Sequence, residues 1–160
     1  MERAKVKKHK DDYPITDSLI QKIRSKGIKD IGLKELLVPL SEEKIEKIKR
    51  REIRNIDEIS QGYAQAIVLE NQKGEKELKR TQLRKIFNEF KNIEKKKDKT
   101  EIYKLYYILE YQANRKLISH KFKELLWTLL DELEKHFEDT EITKKIDEFI
   151  TALVAYIPKE

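Results

Sequence analysis

Lys76 to Lys97 reads KELKRTQLRKIFNEFKNIEKKK, and the spacing of its apolar residues decides the fold class. Leu83, Ile86, Phe87, Phe90 and Ile93 recur at intervals of three and four, which puts them on one side of an α-helix. Thr81 stands where a hydroxyl can accept a backbone N–H that the first turn leaves free, so the helix is expected to start there. The stretch holds nine Lys or Arg against three Glu, a net charge of +6 that equals the formal charge of the whole chain. At about 100° per residue, Arg84, Asn88, Lys91 and Lys95 fall within about 40° of one line beside the apolar face, and Arg80 joins them if the helix reaches back one turn. Such a row is either a solvated lysine-rich surface or a stripe that follows a phosphate backbone, where cations gain by releasing condensed counterions.

Outward from this helix the composition repeats the message. The chain has 160 residues, 41% charged and 38% hydrophobic, with four Gly and three Pro, so helix formers dominate and turn signals are few. This predicts an all-α, single-domain bundle of about five or six helices over residues 15–160, preceded by a basic tail over residues 1–14 that lacks the apolar surface to offset its ordering entropy. A first helix is expected from Thr16 or Asp17 to Lys26, stopped by Gly27, and a short one over Leu33 to Val38. Ser41 caps EEKIEKIKRREIRN, where Lys44, Lys47, Lys49, Arg50, Arg51 and Arg54 form a second basic cluster that Glu43, Glu46 and Glu52 can pair along the helix. Helical spacing continues from Ile56 to Glu70 through Gly62, where either a neighbour crosses closely or the helix bends, and it breaks at Asn71–Gly74.

After a break at Asp98-Lys99-Thr100, Ile102 to Ala113 is apolar on nearly every side and is placed at the bundle centre or across an oligomer contact; its tyrosines read as core with hydroxyls at the surface, or as base-stacking platforms. Ser119 or His120 opens the next helix, with Trp127 off its apolar stripe, and Thr140 or Thr143 caps the last, which Pro158 ends. Residues 98–160 carry ten cations and thirteen anions, so the molecule is expected to have an acidic side as well as a basic one.

Enzymatic chemistry finds no support. There is no cysteine, hence no disulfide, thiolate nucleophile or Cys-ligated metal. His9, His120 and His136 have no metal-ligating spacing, no phosphate-binding glycine loop is present, and Asp131/Glu132 and Asp147/Glu148 read as solvated carboxylates. No cofactor is expected. Without an apolar run of spanning length or a hydrophobic leader, a soluble cytoplasmic protein with no membrane partner is expected.

Three stretches carry a family resemblance. Thr81-Gln82-Leu83-Arg84-Lys85-Ile86-Phe87-Asn88-Glu89-Phe90-Lys91 resembles the signature of the small subunit of type III-A (Csm) CRISPR effector complexes, a Thr/Ser-rich cap followed by Gln-Leu/Ile-Arg-Lys-Phe, an acidic or amide residue and Lys. Leu109 to Arg115, LEYQANR, is similar to the family's Leu-x-Tyr-x-x-Gly-Arg, and Ala152 to Tyr156, ALVAY, to its Ala-Ile-Val-Ala-Tyr, in the same order. Lys79-Arg80 stands where the family often has Thr or Ser, and Asn114 replaces the usual Gly, which Asn can imitate in a left-handed turn.

The resemblance implies a non-catalytic subunit that stacks in several copies and contacts the backbone of the crRNA–target RNA duplex. Its partners would be further copies of itself, the repeat-binding backbone subunits and the large subunit. Basic pattern and resemblance coincide at Arg84, Lys85, Lys91 and Arg115, the first candidates for RNA contact; Arg80, Lys95, Arg50, Arg51 and Arg54 follow on charge alone. Arg115 also has a structural reading, as a cation on helix-terminal carbonyls. Two other classes stay open. One is a helix-turn-helix DNA-binding regulator, which the long approach after Gly74 argues against, and the other a helical adaptor that binds only protein.

Overall fold

A computed structural model describes residues 13–72 and 79–158. They form eight α-helices: α1 Pro14–Lys26, α2 Leu33–Leu37, α3 Glu42–Lys49, α4 Tyr63–Asn71, α5 Arg80–Lys96, α6 Lys99–Asn114, α7 His120–Lys135 and α8 Thr140–Tyr156. Single 3-10 turns lie at Ile28–Asp30 and Ile56–Glu58, and no strand occurs among the described residues. The class is all-α, with eight helices here in place of five or six. Residues 1–12 of the expected tail, and Lys73 and Gly74 of the expected break at Asn71–Gly74, lie outside the described residues.

The main departure from the expected helices lies in one stretch. The helix expected to run from Glu42 through Asn55 stops at Lys49: Arg51 adopts a left-handed φ of 61°, and the Glu52 N–H donates back to the Lys47 carbonyl at 2.9 Å. Ile53, Ile56 and Ile59 are still buried, but from irregular and 3-10 backbone. Apolar spacing therefore continued where the helix did not. Gly62 lies before α4 at φ 79°, ψ 32°, and a Cβ there would meet Leu40 Cδ2 at 2.7 Å and the Val38 carbonyl oxygen at 2.9 Å. The close approach is real, but the neighbour is a loop and the helix begins at Gly62 instead of bending.

Helix ends also shift. Pro14 takes the first position of α1, where its missing N–H costs nothing, so Thr16 lies inside the helix. Gly27 ends α1 as expected, its N–H donating to Ile23 O at 2.7 Å. Helix α5 opens after Lys79, with Thr81 already in its first turn. Ser119 does cap α7, accepting the Phe122 N–H at 3.0 Å, whereas the cap of α8 is Asp139, whose carboxylate accepts from Glu141 and Ile142. Asn114 remains helical, and the left-handed position is Lys116 at φ 64°.

Buried side chains from every helix join one apolar cluster. At its middle is the α7–α8 pair. Helix α7 packs against α1 and α6, and α8 against α2, α4 and α5. Phe122, Leu125, Leu126, Leu129 and Leu130 on α7, and Phe149, Ile150 and Leu153 on α8, have no exposed surface. Of the two places expected for α6, the bundle centre or an oligomer contact, it does not take the first: Ile102, Leu105, Leu109 and Ala113 face inward, but Tyr103, Tyr107 and Tyr111 are exposed by 50%, 65% and 58%. Phenols tolerate water where leucines do not. Trp127 is half-buried, its Nε1–H donating to the Tyr106 carbonyl and its ring set edge-on to Tyr106.

Glu132, placed in solvent by pattern, is instead internal, and so is Glu70. Glu132 is 5% exposed and accepts the Ile28 N–H at 2.8 Å, and Glu70 is 7% exposed and caps α1. Each neutralises orphan N–H donors of another element. No helix among the described residues is long and apolar enough to cross a membrane.

Candidate nucleic-acid interface

Helix α5 buries Leu83, Ile86, Phe90 and Ile93 and sits between α8 and α6. A two-residue connection turns α5 back into α6, and the Gln82 amide donates to the Gln112 carbonyl oxygen, so the pair runs antiparallel. The solvent side of α5 presents Arg84, Lys85, Asn88, Lys91 and Lys95, all exposed. Arg84, Lys85 and Lys95 have no ion-pair or hydrogen-bond partner among the described residues.

The other two cations of the row are held by α8. Arg80 is half-buried; its Nη2 donates to the Ile157 carbonyl oxygen, and its Nε is buried without a partner among the described residues. Lys91 Nζ lies 2.6 Å from Asp147 Oδ2 and 5.4 Å from the Phe87 ring centroid. The hydrogen bond to Asp147 raises the Lys91 pKa, so the ammonium stays charged but is shared with a carboxylate. Position on the helix could not distinguish Lys91 from Lys95, because the difference comes from a residue 56 positions away.

Beyond Lys91 the surface opens into a groove of about 1390 Å³ between the end of α5 and the α7–α8 connection. Lys95, Lys97, Lys99 and Lys144 line it together with Glu94, Asp98, Glu138 and Asp147, over Leu133 and Phe137. Its mixed charge makes it a poorer phosphate track than the Arg84 end.

The remaining candidates disperse. Arg115 leaves the α5 row: its guanidinium lies 5.5 Å from the Tyr111 ring centroid and Nη1 is 3.2 Å from the Tyr111 hydroxyl. It rests on an aromatic ring, and not on helix-terminal carbonyls. Arg50 pairs with Glu52 at 2.9 Å, which raises its pKa. Arg51 and Arg54 border a small pocket of about 150 Å³ that Glu70 also lines. Because α3 ends at Lys49, these three share no helix face. Nothing in the sequence marks Asp147 as a partner of Lys91; of the α6 tyrosines, read from pattern as core or as base-stacking platforms, Tyr103, Tyr107 and Tyr111 lie outside the core, and their i, i+4, i+8 spacing places them on one face.

Among the described residues no group of three or more His, Asp or Glu is arranged to hold a metal ion. His120 and His136 lie at opposite ends of α7, and His9 lies outside the described residues. Fold and surface together define a small all-α protein with a cationic helix face. The family model described as Csm2 Type III-A matches residues 50–157, from the end of α3 to the end of α8. The chain belongs to this family, the structural small subunits of type III-A CRISPR effector complexes, which work alongside the other subunits of that complex. No curated protein and no solved structure matches the chain.

Proposed function

We propose that the chain is a non-catalytic subunit that stacks in several copies along the effector complex and uses the exposed row of α5 to contact the backbone of the crRNA–target RNA duplex. The observation that carries this reading is that Arg84, Lys85 and Lys95 are exposed and have no partner among the described residues, although the protein has carboxylates enough to pair them. An unpaired cation row gains most from phosphates, by releasing their condensed counterions. Such contacts position a strand without reading it, which suits a complex whose sequence reading is done by base pairing. Lys91 is a secondary contact, available when Asp147 releases it; Arg80, Arg50, Arg51, Arg54 and Arg115 contribute less. The common core supports treating residues 15–160 as one domain.

The test is RNA retention in the assembled complex after reversal of Arg84, Lys85 and Lys95 to Glu. The expected result is loss of protection of the duplex with the other subunits still bound and helicity unchanged. Undiminished RNA binding overturns the reading in favour of a protein-only adaptor, and loss of binding to one DNA sequence alone favours the regulator.

A further inference from the structure

Lys145 of α8 is held by backbone carbonyls. Its Nζ donates to the carbonyl oxygens of Ile31, Lys29 and Ile28 at 2.8, 3.0 and 3.4 Å. No carboxylate among the described residues pairs with it, although the chain has 30 Asp and Glu. These oxygens belong to the 3-10 turn at Ile28–Asp30 and to the residue that follows it. The same turn is held on its other side by Glu132 of α7, which accepts the Ile28 N–H at 2.8 Å. One turn of backbone therefore lies between a carboxylate at its N–H end and an ammonium at its C=O end, the order of charges that aligned peptide dipoles favour. The side chains of Ile28 and Ile31 have no exposed surface, Lys145 is half-buried, and the turn packs on α8.

Three acceptors that converge on one atom select its chemistry. A hydroxyl has one donor and a side-chain amide two, whereas an ammonium has three. Calcium and magnesium take about six oxygens or more, and the turn offers three. We infer that the turn is a binding site for a primary ammonium ion, and that Lys145 fills it from within the chain. The site fastens the connection between α1 and α2 to α8. It also joins the two parts of the chain that the family match separates, because the turn precedes residue 50 and Lys145 lies inside the matched stretch. None of its groups belongs to the α5 row, so the inference does not depend on the RNA reading.

Cutting Lys145 back to its Cβ removes the equivalent of propylammonium. The experiment is therefore thermal and urea unfolding of the full chain carrying Lys145→Ala, with and without propylammonium chloride. The variant is expected to unfold at a lower temperature and urea concentration than the wild type. Propylammonium should restore it along a saturating curve, raising its folding equilibrium constant by about tenfold at about ten times the dissociation constant. The wild type, whose site is filled, should not respond, and tetramethylammonium, a cation without N–H, should restore neither chain. Lys145→Met occupies the space of the stem without its donors and should be destabilised yet not rescued. In the wild type, nitrogen NMR should show the Lys145 ammonium protons exchanging with water more slowly than those of exposed Lys85, a measurement that needs no variant to fold. A Lys145→Ala chain as stable as the wild type, equal stabilisation by tetramethylammonium, rescue of Lys145→Met to the same extent, or Lys145 protons that exchange as fast as those of Lys85 each overturns the proposal.

Discussion

Glu70 Oε1 accepts both the backbone N–H of Thr16, at 2.7 Å, and its hydroxyl, at 2.6 Å, across 54 residues of chain. Glu70 Oε2 accepts the Ile15 N–H at 2.8 Å, so one buried carboxylate on α4 closes the N-terminus of α1. The network continues from Thr16 to the Asn71 amide and on to the hydroxyl of Ser119, which itself caps α7. Three helices that are distant in sequence are thus tied by polar groups whose donors and acceptors match.

Replacing Glu70 by Gln keeps the volume but sets an amide NH₂ against backbone donors and removes the charge that meets the helix dipole. The expected loss is about 2–4 kcal/mol, a fall in Tm on the order of 5–15 °C for a chain of this size. Thermal unfolding followed by circular dichroism measures it, and a Tm within a degree of the wild type would show that the network is not what holds α1.

Gly62→Ala meets two obstacles at once, a left-handed backbone and a Cβ 2.7 Å from Leu40. The conformational cost of about 1–2 kcal/mol adds to an overpacking cost of about 1–3 kcal/mol. Urea titration should show the lower midpoint, and relieving the clash with Leu40→Ala in the same chain should leave the two effects clearly non-additive.

Alkali should destabilise the fold. Burial, and then the charge and hydrogen bond of Glu35 at 3.1 Å, hold the Tyr63 phenol above its ordinary range; Tyr106 is raised by burial and by Asp131. A raised native value means that the stability is fully present below the unfolded tyrosine pKa of about 10 and is lost as pH climbs beyond it. Unfolding free energy measured between neutral pH and strong alkali should fall on that side only, and Tyr63→Phe should flatten the fall.

Asp147→Asn releases Lys91. If the α5 row follows RNA phosphates, the variant binds the duplex more tightly at low salt, and the slope of log K against log salt steepens by about 0.7–0.9, the value of one added phosphate contact. Lys91→Met in the wild-type background should change the slope by less. Equal slopes in all three proteins would place Lys91 away from the RNA.

Much of the architecture was legible in the one-dimensional pattern because helices bury residues at fixed short intervals. Leu83, Ile86, Phe90 and Ile93 lie inward as their spacing required, the α7 stripe from Phe122 to Leu133 is buried, Gly27 ends α1, and the family motifs fall on α5, α6 and α8. All-α class and family membership followed from local order alone.

What local order left undecided was settled by contacts between residues far apart in the chain. Pattern could not say that Ile53 to Ile59 would be buried without a helix, because apolar spacing does not encode the left-handed Arg51 that ends α3. Nor could it separate the cations of one row: Arg80 goes to Ile157, Lys91 to Asp147, and Arg84, Lys85 and Lys95 to solvent. Glu132 looks like a surface carboxylate until the Ile28 turn brings its N–H to it, and nothing in the spacing around Glu70 says that it will cap α1. A charge is inexpensive to read and hard to place, since its energy depends on burial and on partners that only the folded chain supplies.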